Sequence, residues 1–166
     1  MAKVAVIMGS DSDWNVMEQA VRTLRSFNVE TEVKVLSAHR TPEEAGTYAA
    51  QAEENGIGVM IAAAGMAAHL AGALAARSVL PVIGVPIVSG ALGGVDALLS
   101  TVQMPPGVPV ATVGTNAAQN AAVLAVQILA LSDPVLNKAL HEYKSGLREK
   151  AVQRDEKIAA LAAQIG

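Results

Sequence analysis

The residues best suited to chemistry lie in one short run, Ser37-Ala38-His39-Arg40, which follows an apolar segment. The His39 imidazole can give and take a proton near neutral pH. The Arg40 guanidinium offers a planar fork of donors for a phosphate or a carboxylate. A single loop histidine is more often structural or merely exposed, but Ser, His and Arg together favour a ligand-facing site.

A second polar loop, Gly9-Ser10-Asp11-Ser12-Asp13, follows the first apolar run. Ser10 and Ser12 supply hydroxyls and backbone N–H groups that suit a phosphate at a helix start, and the Asp13 carboxylate can accept hydrogen bonds from ribose hydroxyls. Capping of a helix by Ser or Asp explains the same residues without a ligand and is the simpler interpretation of this loop alone. The usual Gly-rich patterns for dinucleotides and ATP are absent.

A third loop, Ala64–Leu70, lies in a stretch without formal charge and contains Gly65 and His69. We expect His69 to face a ligand or to be buried, and a hydrogen-bonded core histidine is the plain alternative. The spacing of His39, His69 and His141 matches no metal-binding signature, so we predict no metal. The G-x-S-x-G pattern of many Ser-His-Asp hydrolases is also absent.

These loops need a scaffold, and short, largely uncharged runs rich in Val and Ile recur along the chain. Strands that are buried on both faces have this composition. The runs predict strands over Lys3–Met8, Thr31–Leu36, Val59–Ala63, Val82–Val85 and Val110–Val113. Helices are predicted between them over Asp13–Phe27, Pro42–Glu54, Ala68–Arg77, Gly94–Thr101 and Ala117–Leu131, with an extra C-terminal helix over 133–163.

Alternating strands and helices predict a three-layer α/β fold with a doubly wound, five-stranded parallel sheet. Ligands bind such sheets beyond the carboxyl ends of the strands, where the three polar loops begin. The Thr41-Pro42-Glu43-Glu44 run predicts a capping box, and Asp133-Pro134 predicts a similar helix start. Asn55-Gly56 is expected to end the second helix.

Composition limits the classes of function. The 166 residues fit one domain, and 52% hydrophobic against 16% charged residues exclude a disordered chain. A net charge of −3 gives no basic field for nucleic acid, and 2% aromatic residues provide no platform for stacking bases or flanking a flavin. Cysteine is absent, which excludes disulfides and thiolate chemistry.

The location is expected to be cytoplasmic. The N-terminal apolar run is short and meets acidic turn residues at once, so we interpret it as a strand rather than a signal peptide. The uncharged run Gly56–Ala76 is long enough to span a bilayer, but it is dominated by Ala and Gly and contains His69. We therefore predict a buried strand, a turn and a tightly packed helix there.

The distribution of charge predicts a homo-oligomer. From Asn55 to Ser132 only Arg77 and Asp96 carry formal charge, whereas half of the 12 Lys and Arg residues fall between Lys138 and Lys157. A lone domain of this size must keep much of its surface wet. We therefore expect other subunits to cover the neutral half of the chain, with Ala-rich helices at the interfaces.

Five segments occur in an order that resembles a known family: GSDSDW, SAHRTP, AAHL, PVIGVP and LLSTVQMPPGVPVATV, between Gly9 and Val113. They are similar to class I N5-carboxyaminoimidazole ribonucleotide mutases of purine biosynthesis, from about residue 3 to 131. The resemblance implies an isomerase that moves a carboxyl group from the exocyclic nitrogen to ring carbon 4. It also implies no cofactor, neither ATP nor metal, and a homo-octamer with sites at subunit contacts.

The resemblance also implies roles for individual residues. His39 matches the family's catalytic histidine, and Ser10 and Asp13 match ligand-binding positions, with Asp13 on the ribose hydroxyls. Ser12, Ser37 and Arg40 would surround the phosphate. Gly65, His69 and Leu70 would line the pocket for the carboxylate and CO2. A histidine that protonates the carbamate nitrogen and later removes the carbon 4 proton would serve both halves of this chemistry.

This chain departs from the family pattern at two positions. The family usually reads G-G-A-A-H-L-P-G in the third loop, whereas Met66 here replaces the second Gly and Ala71 replaces the Pro. Two other functions remain open: a carboxylase that uses free CO2, and a phosphorylated-ligand-binding module without catalysis. A related carboxylase class lacks the A-A-H-L segment, and both His39 and Arg40 are present, so we favour the mutase.

Overall fold

The computed structural model describes residues 3–165, in which strands and helices alternate. The strands are β1 (Lys3–Met8), β2 (Thr31–Val35), β3 (Ile57–Gly65), β4 (Val82–Ile87) and β5 (Ala111–Thr112). The helices are α1 (Trp14–Ser26), α2 (Pro42–Gln51), α3 (Leu70–Ala75), α4 (Val95–Val102), α5 (Ala118–Leu129) and α6 (Pro134–Ala162), with a 3-10 turn over Asp11–Asp13. Every predicted strand and helix is present, although β3 and β4 are longer and β5, α2 and α3 are shorter than predicted.

The five strands form one parallel sheet in the order β2-β1-β3-β4-β5. The predicted doubly wound fold is therefore confirmed. The chain leaves β1 toward β2 on one side and continues from β3 to β5 on the other. The order thus reverses between β1 and β3, and a crevice opens beyond the carboxyl ends of these strands at such a point.

Alternate side chains of the sheet enter two separate cores, which make the three layers. On one face, Val4 and Val6 of β1 and Ile61 of β3 pack against α1 and α5 and against the start of α6. On the other face, Ala5 and Ile7 of β1 pack against α2 and α3. Both faces of the central strands β1, β3 and β4 are apolar because these strands lie between two helical layers.

A close approach of α4 to the sheet requires glycine in β4. A methyl group at Gly84 would lie 2.3 Å from Thr101 Cγ2 and 3.0 Å from Val110 Cγ1. Thr101 is 3% exposed, and its hydroxyl donates to the Ala97 carbonyl 2.7 Å away. The backbone of β4 at Gly84 is therefore in direct contact with the side chains of Thr101 and Val110, on the same face of the sheet as α3.

One of the two predicted helix caps is correct. Asp133 Oδ1 accepts hydrogen bonds from the N–H groups of Val135 (2.9 Å) and Leu136 (3.1 Å), as expected at the start of α6. The predicted capping box at Thr41 is wrong, because Thr41 Oγ1 accepts from the Ser37 N–H at 2.9 Å and donates to the Ser37 carbonyl at 3.1 Å. The Thr41 hydroxyl thus closes the polar loop instead of capping α2.

The uncharged run Gly56–Ala76 forms β3, its following turn and α3, as predicted. None of the helices within residues 3–165 combines the length and the apolar character needed to cross a membrane. Gly46 of α2 packs beneath Arg77: a methyl group there would lie 3.8 Å from the Arg77 Cζ atom. The Arg77 guanidinium thus lies against α2.

Candidate active site

A cavity of about 490 Å³ opens at the carboxyl edge of the sheet, where the loops after β1, β2 and β3 meet. All the predicted site residues line it: Ser10, Ser12, Asp13, Ser37, His39, Arg40, Gly65, His69 and Leu70. The remaining lining residues are Gly9, Ala38, Ala64, Met66 and Ala67. The fold therefore brings together side chains from three segments that are far apart in the sequence.

The loop after β1 is organised by the Ser10 hydroxyl. Ser10 Oγ accepts hydrogen bonds from the Ser12 N–H (3.3 Å) and the Ser12 hydroxyl (3.0 Å), and it donates to Asp11 Oδ1 at 3.2 Å. Ser10 therefore caps the 3-10 turn, so the capping interpretation is correct for this residue. The Asp13 side chain makes no cap hydrogen bond to α1, which leaves its carboxylate for another role.

Asp13 is a nearly buried carboxylate, with only 7% of the residue exposed. Burial raises the pKa of Asp13 because it removes water from the charged form. Hydrogen bonds from Ser10 and Ser12 lower this pKa in part, and the nearby Asp11 charge raises it further. The net increase means that, at neutral pH, the ionised carboxylate reduces the stability of the folded chain.

We predict that Asp13→Asn stabilises the ligand-free protein at pH 7. Because the pKa of Asp13 is raised on folding, its contribution to stability is complete below the unfolded pKa and is lost as the pH rises through the folded value. Melting should show a Tm higher by roughly 2–4 °C at pH 7, the shift that about 1 kcal/mol gives in a chain of this size. The gain should shrink as the pH falls toward about 3.9.

The matched control is Asp11→Asn, because Asp11 is the exposed carboxylate of the same turn. This variant should change the Tm much less than the Asp13 variant does. A lower Tm for Asp13→Asn at pH 7 would show that the ionised carboxylate stabilises the free protein, contrary to this prediction.

The loop after β2 is joined to the loop after β1 by Arg40. The Arg40 Nη2 group donates to the Gly9 carbonyl at 3.1 Å, and the Arg40 backbone N–H donates to Ser37 Oγ at 3.1 Å. The Arg40 Nε–H also donates to Ser37 Oγ at 3.5 Å, and because Arg40 is exposed, its Nη1 group stays open to a ligand. The positively charged Arg40 side chain thus lies in the same cavity as the hydroxyls of Ser10, Ser12 and Ser37.

His39 and His69 form a direct pair across the cavity. His39 Nε2 lies 2.6 Å from His69 Nδ1, and the rings meet edge to face with centroids 4.7 Å apart. A hydrogen bond between two imidazoles needs one N–H and one lone pair, so the rings share a single proton at this contact. Both residues are exposed, and His69 is therefore not a core histidine.

The loop after β3 contains the feature that sequence analysis treated only as a departure from the family. Met66 lines the cavity, is 60% exposed and has a φ of 54°. The left-handed region costs a residue with a Cβ about 1–2 kcal/mol. The neighbouring Gly65 lies against the end of β4, because a methyl group there would lie 2.1 Å from Ser89 Oγ.

Ser89, in the loop after β4, is not among the residues predicted for the site from the sequence. The Ser89 Oγ atom is buried behind Gly65 and has no hydrogen-bond partner among residues 3–165. No motif marks such a residue, because its position depends on the packing of β4 against β3. The third histidine, His141, lies on α6 in a separate cavity beside Lys144.

The described part of the chain has no group of three or more His, Cys, Asp or Glu side chains that could hold a metal ion. The cavity instead offers a cation, several hydroxyls, one carboxylate and a histidine pair. This set can bind a phosphate through Arg40 and hydroxyls. It can also move a proton through the histidines.

Comparisons with known proteins identify similar chains. The sequence model of a protein family described as AIR carboxylase matches residues 3–150. The chain is 57% identical to the N5-carboxyaminoimidazole ribonucleotide mutase of Pyrococcus abyssi, over 89% of this chain and 85% of that protein. It is 47% identical to the mutase of the same name from Escherichia coli, over 93% of each chain.

A solved structure, the crystal structure of Treponema denticola PurE, has the same fold. Its TM-score is 0.86 at 28% identity, and the match covers 95% of this chain and 98% of the other. The similarity therefore extends over nearly the whole of both chains.

Proposed function

This chain belongs to the AIR carboxylase family, and from that membership we propose that it converts N5-carboxyaminoimidazole ribonucleotide to 4-carboxy-5-aminoimidazole ribonucleotide. It is an enzyme that transfers a carboxyl group, an isomerase of purine biosynthesis like the relatives named as mutases. The observation that carries this proposal is the His39–His69 pair in the same cavity as Arg40 and the serine hydroxyls.

The polar end of the cavity is assigned to the ribose phosphate. Arg40 supplies charge-assisted hydrogen bonds to the phosphate, and the hydroxyls of Ser12 and Ser37 complete its shell. The Ser10 hydroxyl, in the same loop as Ser12, lines this end of the cavity as well. The Asp13 carboxylate accepts hydrogen bonds from ribose hydroxyls, which would compensate for the cost of its burial.

The chemistry proceeds in two balanced steps. A proton from His39 reaches the carbamate nitrogen, the nitrogen–carbon bond breaks with its electron pair on nitrogen, and CO2 is released. Ring carbon 4 then attacks this CO2 to form the new carbon–carbon bond. The proton on carbon 4 returns to His39, so no atom is gained or lost and the histidine is restored.

His69 makes this double role of His39 easier. Because the two rings share one proton at 2.6 Å, His69 can set the tautomer of His39 and can accept or donate charge as His39 changes state. His69, Gly65 and Leu70 also line the end of the cavity assigned to CO2. The neutral walls there suit a neutral gas molecule, which must stay near carbon 4.

A second candidate is an aminoimidazole ribonucleotide carboxylase that takes up free CO2. The observation that favours it is Met66, since an exposed side chain stands where the mutases usually have glycine. A binding module without catalysis is the third candidate, and it agrees less well with the presence of both histidines at the cavity.

A turnover assay with purified protein, without ATP or added metal, tests these three functions. Fast conversion of N5-carboxyaminoimidazole ribonucleotide at low bicarbonate is the expected result. Preference for aminoimidazole ribonucleotide plus bicarbonate would replace the mutase with the carboxylase. Activity with neither substrate, together with binding of aminoimidazole ribonucleotide, would leave only the binding module.

We also propose that the chain is a single catalytic domain that assembles into a homo-oligomer, with an octamer as the expected state. The outer face of α4 and the loop before it carry the exposed apolar residues Leu92, Val95, Leu99 and Val102. Their spacing of three and four residues forms one continuous stripe on a helix.

Beyond Tyr143, α6 is almost wholly exposed, although it carries Leu147, Val152, Ile158 and Leu161. This half of α6 is expected to pack on a neighbouring subunit.

Sedimentation equilibrium should give about eight times the 17.0 kDa chain mass. Leu99→Glu places a charge in the apolar stripe and should lower this mass, because an unpaired charge in an interface is costly. A wild-type protein that sediments as a monomer would contradict the assembly and would leave the neutral half of the chain unexplained.

A further inference from the structure

The cavity has two chemically different ends. One end carries Ser10, Ser12, Asp13, Ser37 and Arg40, whose polar groups suit a ribose phosphate. The other end is formed by the third loop, in which Met66 is the largest apolar side chain besides Leu70. Leu70 is 1% exposed and belongs to the core, so only Met66 presents a long, free apolar side chain to this end.

The backbone at Met66 is unusual. Among the described residues, the non-glycine residues with positive φ are Asn28, Met66 and Asn116. Asn is tolerated in this region because its short polar side chain bonds locally, whereas Met has no such compensation. Local conformational preference therefore opposes methionine at this position, and an observed outlier of this kind points to a role for the side chain.

Burial within the single chain does not compensate for this strain either. Met66 is 60% exposed, whereas Met8, Met17 and Met60 are at most 2% exposed. The Met66 side chain thus gains little from the fold in the absence of a ligand. A ligand that occupied the uncharged end of the cavity would cover it and would supply the missing apolar contact.

Met66 also reaches toward the loop between β4 and α4. A methyl group at Gly90 would lie 3.7 Å from Met66 Cγ, and Gly90 has a φ of 69°. The side chain therefore lies between two loops at the rim of the cavity. An unbranched thioether is well suited to adjust its shape at such a position.

We propose that Met66 is a specificity-determining residue, which closes the uncharged end of the cavity over the imidazole ring and the CO2 of the bound substrate. This role rests on the proposed function, since it assumes an aminoimidazole ribonucleotide in the cavity. Met66 would act by apolar contact with the ring and by keeping water out and CO2 in. It would take no part in proton transfer.

Binding by calorimetry tests the contact with the ring. Met66→Gly suits the positive φ and should fold, and Met66→Leu keeps an apolar side chain of similar volume. Met66→Gly should weaken the binding of aminoimidazole ribonucleotide by about 10-fold and leave the binding of ribose 5-phosphate unchanged. The reason is that the apolar contact removed by the substitution is made only with the ring. Met66→Leu should bind both ligands like the wild type. Equal loss for both ligands, or no loss for either, would overturn the proposal.

Isotope exchange tests the retention of CO2. During conversion of N5-carboxyaminoimidazole ribonucleotide in ¹³C-bicarbonate, Met66→Gly should incorporate several times more label into the product than the wild type or Met66→Leu. Equal incorporation in all three proteins would overturn the sealing role. A wild type that shows no turnover but binds aminoimidazole ribonucleotide through Met66 would refute the proposed function and leave the ring contact standing.

Discussion

Replacement of His39 by Asn should abolish turnover while the variant still folds and binds substrate. The proposed mechanism uses His39 twice, first to protonate the carbamate nitrogen and then to remove the proton from carbon 4. Loss of a general acid–base group lowers rates by roughly 10²–10⁴-fold, and a group used in both steps should reach the upper part of this range. The measurements are kcat at saturating substrate and the affinity for aminoimidazole ribonucleotide.

Asparagine keeps a polar group of similar reach at this exposed position, so the fold should tolerate the change. His141→Asn is the matched control, because it makes the same substitution on α6, outside the site. It should leave kcat unchanged. Full activity of the His39 variant would remove this residue from the mechanism. A loss of binding as large as the loss of kcat would assign His39 to substrate binding instead.

Replacement of Arg40 by Ala should weaken the binding of phosphorylated ligands far more than the binding of the unphosphorylated nucleoside. Hydrogen bonds to a charged group contribute about 1.5–3 kcal/mol, which corresponds to roughly 10- to 100-fold in Kd. Calorimetry with aminoimidazole ribonucleotide and with its nucleoside measures this difference. Equal losses for the two ligands would show that Arg40 does not contact the phosphate.

Arg77→Ala is the control for charge alone, since Arg77 packs against Gly46 of α2 and does not line the cavity. Arg40→Lys separates charge from geometry, because lysine keeps the charge but loses the planar fork. We expect the lysine variant to recover part of the affinity. Arg40 also donates to the Gly9 carbonyl, so the Tm of each variant should be measured alongside the affinities.

Sequence patterns predicted the strands and the meeting of the three polar loops at one cavity, for clear reasons. The central strands β1, β3 and β4 are buried between two helical layers, so they are short and rich in apolar residues, whereas the edge strand β2 carries Glu32 and Lys34. Parallel strands end at a common edge, and the polar loops after β1, β2 and β3 were therefore expected to meet. The cavity contains every residue predicted for it.

The wrong prediction, the capping box at Thr41, came from a local sequence pattern whose side chain has a different hydrogen-bond partner in the folded protein. The Thr41-Pro42-Glu43-Glu44 run has the spacing of a capping box, yet the Thr41 hydroxyl bonds to Ser37. Both partners lie within four residues of Thr41, so the sequence alone does not decide between them. The Thr41 hydroxyl bonds to Ser37 because the chain turns between these two residues, which places His39 and Arg40 at the cavity. This turn forms only in the folded protein.

The sequence by itself determined the fold class and the order of the elements, because composition and periodicity report whether a segment is buried. The contact of His39 with His69, the φ of Met66 and the Ser89 hydroxyl behind Gly65 were decided only by the tertiary structure. Each depends on distances between segments that the sheet brings together from β1 to β4. Such distances are set by packing across strands, which leaves no periodic trace in a single sequence.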